Sequence, residues 1–241
     1  KEQKDYNDPR YDINNYYTFY ASNPYWVIDN YKYIYQDDRA YGKVELGYKL
    51  LPGLKAMGRL GGDFTNYRIT NQQPIVKFAN GSYSQEGGKT EEIGRYEETK
   101  YTNSEIDATT LLNADYKFDN FSLNGTAGWN FNQRIYEYTG AIINGLEIEN
   151  WYSLLNTSSS ATPISYKSKR RLLGAFAQAE LGYKEYLFLN LSMRNDWSST
   201  LPKENNSFFY GGANVSILLH QIMPTLKDYK IDFFFFFSAV D

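Results

Sequence analysis

The sequence predicts an all-β chain, specifically a transmembrane antiparallel β-barrel, and three observations carry that prediction. Apolar residues recur at every second position through several long segments. Aromatic residues gather at the ends of those apolar faces. Short turns alternate along the chain with long polar stretches. A period of two belongs to strands, and this combination belongs to outer-membrane barrels.

The first strand is expected at 40–50, with Ala40, Gly42, Val44, Leu46, Tyr48 and Leu50 on one face. Leu51-Pro52-Gly53 reads as a turn. Leu54, Ala56, Gly58, Leu60, Gly62 and Phe64 form the apolar face of a second strand over 54–65. A third, at 107–118, carries Ala108 to Phe118. Asp119-Asn120 turns the chain into a fourth at 121–132, carrying Phe121 to Phe131. These four apolar faces hold no charged residue, whereas eight of the twenty positions on the opposite faces are charged. A slip of one residue would exchange the faces, so the register is well specified. Weaker alternation places further strands at 171–183, 186–195, 208–219 and 229–240. Long polar loops are expected at about 66–106 and 133–170. The five consecutive Phe from Phe233 to Phe237 break the alternation, and no reading is built on them.

A soluble β-sandwich also pairs an apolar face with a polar one. Strand length favours the barrel, since a tilted strand crosses a bilayer in roughly 9–11 residues. Phe121, Trp129, Phe131, Tyr116, Phe118, Tyr183, Tyr48 and Phe64 sit near strand ends, as interfacial girdles require. In lipid the backbone must be fully paired within the protein, so such a sheet has to close.

Composition excludes several functions. The 241 residues include no cysteine, which removes disulfides, thiol nucleophiles and Cys-ligated metal sites. A single histidine, His220, leaves little room for a His-based metal cluster or a catalytic triad. The net charge of −3 argues against a nucleic-acid surface. No run of about 20 apolar residues forms a membrane helix. No serine elbow, phosphate loop or zinc motif occurs, so no enzymatic activity and no cofactor are expected. Asp5, Asn7, Asp8 and Asp12 offer oxygen ligands suited to calcium, but their spacing fits no complete loop motif. No basic and apolar leader precedes Lys1. The chain is therefore expected to be either mature from Lys1 or an internal piece of something longer.

Two aromatic pairs are candidates for ligand or partner contact. Trp151 and Tyr152 lie within an expected loop, where binding residues concentrate. Tyr25 and Trp26 could stack on a sugar face or pack the base of a loop. Lys43, Glu45, Arg59, Asp63, Asp115, Glu180 and Arg194 are expected to face a wet lumen, pairing with one another or with a plug. The acidic group Glu91, Glu92, Glu97 and Glu98 reads as a solvated loop.

Several stretches resemble the SusC/RagA family of TonB-dependent outer-membrane transporters. Asn23-Pro24-Tyr25-Trp26, followed by Arg39-Ala40-Tyr41-Gly42, is similar to that family's NPYW element and the strand start after it. Arg171-Leu172-Leu173-Gly174-Ala175-Phe176-Ala177-Gln178 resembles another of its strands. Leu189 to Asp196, with Ser198-Ser199, resembles the next, and Asn206-Ser207-Phe208-Phe209-Tyr210 the one after. Gly211-Gly212 depart from the proline often found there. The resemblance implies a middle portion of a plugged barrel of about 22 strands. The plug and the TonB-contacting segment would be absent from these residues. It also implies a SusD-like surface lipoprotein partner, TonB-driven import of glycan fragments or peptides, and a Bacteroidetes-like outer membrane. The alternatives are a small passive porin or structural outer-membrane barrel, and a soluble carbohydrate-binding β-sandwich.

Overall fold

The computed structural model of the protein describes residues 12–16, 18, 21–222 and, for the backbone, 234–240. The chain opens with a short helix, α1 (Pro24–Asn30). The Asn23 side chain accepts a hydrogen bond from the Tyr25 amide at 3.0 Å, and Pro24 begins the helix. An Asn cap followed by Pro is a helix start, which gives the Asn-Pro-Tyr-Trp motif a local physical reason.

Eight strands follow: β1 (Lys32–Leu51), β2 (Leu54–Val76), β3 (Glu92–Phe118), β4 (Phe121–Asn144), β5 (Thr162–Tyr183), β6 (Leu187–Ser198), β7 (Ser207–Ile217) and β8 (Phe234–Val240). Two further single-turn helices, α2 (Tyr83–Glu86) and α3 (Leu219–Ile222), sit in connections. The strands form one sheet in the order β1-β2-β3-β4-β5-β6-β7-β8. β5 to β8 pair antiparallel, with Phe176 opposite Arg194 and Arg194 opposite Tyr210.

This sheet is open, which corrects the expected transmembrane barrel. Among the described residues β1 pairs only with β2 and β8 only with β7, so the first and last strands do not meet. All 20 residues of β1 are exposed. The physical reason for the error is that alternation specifies two faces and says nothing about closure, which depends on pairing the most distant strands. No lumen is enclosed by an open sheet. No helix among the described residues is long and apolar enough to cross a membrane.

The turns are those the sequence indicated. Gly53 has φ +79°, and a Cβ there would collide with the Asp115 carbonyl and the Tyr116 ring. Asp119, Lys184 and Glu185 also adopt positive φ in the tight connections after β3 and β5. The long loops are shorter than expected. Residues 66–76 and 92–106 are strand, as are 133–144 and 162–170, so the true connections are 77–91 and 145–161.

The chain divides into two compact units. One comprises Lys1–Arg39, Thr65–Asn103 and Tyr136–Ser168; the other comprises Ala40–Phe64, Ser104–Ile135 and Lys169–Asp241. The first has a small core of Tyr96, Ile143 and Leu146, flanked by Ile75, Tyr152 and Leu154. The second has no buried large hydrophobic residue among those described. Its apolar side chains lie open: Leu46 is 74% exposed, Trp129 63% and Phe209 69%. An apolar face of that extent marks a surface awaiting a cover.

Candidate functional site

Among the described residues of the second unit, several groups of polar side chains are tied together, and those built on Arg59, Glu105 and Arg194 each hold an ion pair. Arg59 on β2 donates to Glu45 on β1 through Nε at 2.9 Å. The next group centres on Glu105, which accepts from Asn132 Nδ2 at 2.6 Å and lies 3.0 Å from Arg134 Nε. The hydrogen bond from Asn132 and the Arg134 guanidinium hold its carboxyl below the ordinary value.

The most connected group joins β4, β6 and β7. Arg194 Nε donates to both Asp196 oxygens at 2.9 Å, and its second arm reaches Asn130 Oδ1 at 2.8 Å. Tyr210 donates its hydroxyl to Asp196 at 2.7 Å. The guanidinium also lies over the Phe176 ring, 5.4 Å from its centroid. Hydrogen bonding to Arg194 holds the Asp196 carboxyl below its ordinary value and raises the guanidinium. Gly174, directly across from Asp196, leaves the space this pair occupies. Gly174 of β5, Arg194 and Asp196 of β6 and Tyr210 of β7 therefore converge on one cluster.

Of the remaining expected residues, Asp115 and Glu180 line a shallow depression of about 760 Å³ with Asn113, Asn124, Gln178 and Asn190. Lys43 and Asp63 line another of about 460 Å³ with Glu105 and Asp107. The structure thus distributes the seven expected charged residues over several groups rather than one centre.

In the first unit, Trp151 and Tyr152 diverge. Tyr152 packs against Tyr96 at 6.4 Å beside the small core, and burial pushes its phenol up. Trp151 stays 45% exposed on the connection after β4. That connection is fastened by Asn156, only 1% exposed. Its amide accepts from the Glu147 and Ile148 backbones and donates to the Ile148 and Trp151 carbonyls. On α1, Tyr25 is 56% exposed, whereas Trp26 packs edge-on against Tyr31 at 6.0 Å.

Sequence reasoning missed two features. One is the set of partners around Arg194, namely Asp196, Asn130 and Tyr210. The other is a row of tyrosines in the first unit: Tyr35, Tyr67, Tyr101, Tyr136, Tyr138 and Tyr166, in van der Waals succession across β1 to β5. Assigning most of these residues to loops concealed the row. The density of 24 tyrosines was the available signal.

No group of three or more His, Cys, Asp or Glu among the described residues could hold a metal. Asp5, Asn7 and Asp8 lie outside the described residues. Asp12 accepts from the Asn14 and Asn15 amides, closing a local turn. The arrangement offers hydrogen-bonding and aromatic surfaces and, among the described residues, no nucleophile set against a base.

No family model matches this chain, and no curated protein matches it. Solved structures do. The structure of the RagAB peptide transporter is 16% identical over 86% of this chain, with a TM-score of 0.75. The RagAB peptide importer in its "closed-closed" state is 17% identical, and in its "open-open" state 18%; both cover 87% of this chain with a TM-score of 0.75. The present chain spans 23% of the length of each of those chains. Identities this low carry the fold alone. Membership of the SusC/RagA family, expected from the motifs, is accordingly corrected to a likeness of fold: this chain is an open antiparallel sheet similar to part of the RagAB structures.

Proposed function

We propose that the chain serves in uptake of oligomeric nutrients, glycan fragments or oligopeptides, at the outer membrane of a Bacteroidetes-like bacterium. It does so as part of a TonB-driven importer acting with a SusD-like surface lipoprotein. The observation that carries this reading is the fold likeness to RagAB, a named peptide transporter and importer, over most of this chain. The second unit supports it independently. One face is apolar and exposed, suited to lie against a cover. The other carries amides, hydroxyls and paired charges, suited to a hydrated solute. The chain performs no covalent chemistry; its residues bind and guide.

Fractionation of native cells tests the location. The protein is expected with the outer-membrane fraction. Recovery in the soluble fraction would favour a second reading, a carbohydrate-binding β-protein without a transport role. The open sheet and its exposed tyrosines are the observations in favour of that reading.

A further inference from the structure

The tyrosine row is built with unusual regularity. Tyr35 and Tyr67 have ring centroids 5.4 Å apart. Tyr67 and Tyr101 stack at 4.5 Å, only 4° from parallel. Tyr101 meets Tyr138 at 5.3 Å, and Tyr138 meets Tyr166 at 5.6 Å and 23°. Tyr136 joins from the same strand as Tyr138, at 6.4 Å from Tyr101 and 6.0 Å from Tyr166. Each strand from β1 to β5 contributes at least one ring.

The inner rings use their faces on one another, and Tyr67 spends its hydroxyl on Tyr136. Only the end rings stand open: Tyr35 is 52% exposed and Tyr166 50%. A phenol hydroxyl both donates and accepts, as sugar hydroxyls do. An exposed ring face suits the C–H face of a pyranose, because it is flat and apolar with a negative quadrupole. The Lys167–Glu137 and Arg68–Glu98 pairs alternate with the tyrosines along their strands and so belong to the opposite face. The row itself is made of phenols, which carry no formal charge at neutral pH and favour an uncharged ligand.

Spacing separates the ligand classes. Rings on adjacent strands repeat at the inter-strand distance of ~4.8 Å, which is close to the length of one pyranose unit. An extended peptide repeats at ~3.3 Å per residue and falls out of step within a few rings.

We infer that the tyrosine row of β1 to β5 is a binding platform for a linear, uncharged oligosaccharide lying across the strands, with its outer sugars against Tyr35 and Tyr166. Its physiological meaning rests on the uptake reading, whereas the binding itself does not. The platform narrows that reading from oligomers in general to neutral glycans.

The test uses the intact protein that carries this chain, with maltohexaose, cellohexaose and hexaalanine as probes in calorimetric titrations. At least one hexasaccharide is expected to bind saturably. Replacing both end rings, Tyr35→Ala with Tyr166→Ala, is expected to weaken it by about tenfold or more. Tyr35→Trp with Tyr166→Trp keeps the aromatic faces and should preserve binding, which separates lost contact from a damaged sheet. The inference is overturned if neither saccharide binds, if the double Ala variant binds like the parent, or if hexaalanine competes equally. Uptake of the bound saccharide by cells is read separately. Tyrosine-dependent binding without uptake leaves the platform standing and sinks the importer reading. Uptake that is indifferent to the tyrosines does the reverse.

Discussion

Gly174 and its neighbours show how one missing methyl organises a site. A Cβ at this position would sit 2.5 Å from Asp196 Oδ1 and against the Arg194 guanidinium. Gly174→Ala is therefore expected to push the ion pair apart, and because the displaced atoms are the ends of flexible side chains the loss of stability should stay at about 1 kcal/mol or less, measured from the urea midpoint. Gly42→Ala is the control, since a Cβ there meets nothing within 4 Å. The same cluster sets an acid limit. Asp196 and Glu105 are held below their ordinary values of 3.8 and 4.5, because the charged forms accept hydrogen bonds from Arg194 and Asn132. A depressed folded-state pKa stabilises the fold above the unfolded value and loses that effect as pH falls through the folded one. Stability should thus hold at neutral pH and decline below pH 4.5 as Glu105 and Asp196 take up protons. Asp196→Asn should flatten the lower part of that decline, and an unchanged acid profile would contradict the assignment. The sequence exposed Arg194 as a polar-face charge. It could not expose Tyr210 and Asn130 as partners, because they come together only through the register of neighbouring strands.

Among the elements, β2 to β5 carry the clearest lesson about legibility. Where an apolar face alternates with a polar one, as at 54–65 and 121–132, the strand was plain in the sequence. Where both faces are polar or aromatic, as at 66–76 and 92–106, it was hidden, and those residues read as loop. Tyr67 belongs to such a stretch. Desolvation and a hydrogen bond to Tyr136 push its phenol up to about 12. A raised phenol stabilises the fold below its ordinary value of 10.0 and ceases to do so as pH rises through about 12. Ultraviolet titration of tyrosinate should show late-ionising phenols, Tyr31 among them, whose amplitude falls by one group in Tyr67→Phe. The connection after β4 is a second element with a test. Asn156 supplies four hydrogen bonds that hold Trp151 in place. Asn156→Ala should accelerate exchange of the Glu147 and Ile148 amides by tenfold or more, since each buried bond is worth about 0.5–1.5 kcal/mol. Unchanged exchange would mean that the loop is held by other contacts.

For the molecule as a whole, the antiparallel strand order was legible and its closure was not. Turn chemistry and period are local, and they indicated consecutive strands from Ala40 onward. Pairing of first with last strand is a property of no local segment, and the open sheet is what these residues form. The consequence is an uncovered apolar face in the second unit, with Leu46 74% and Leu191 44% exposed. Leu46→Asp with Leu191→Asp should reduce recovery in the outer-membrane fraction severalfold, because burying a charge in an apolar contact is costly. Undiminished recovery would mean that this face makes no contact that holds the chain there. The central claim is that this chain serves uptake, and it is tested most directly by measuring entry of fluorescently labelled neutral oligosaccharides and oligopeptides into cells with the gene deleted. The account predicts that uptake of at least one oligomer falls to background and returns when the gene is restored. Uptake of every oligomer at the parental rate in the deletion strain would contradict it.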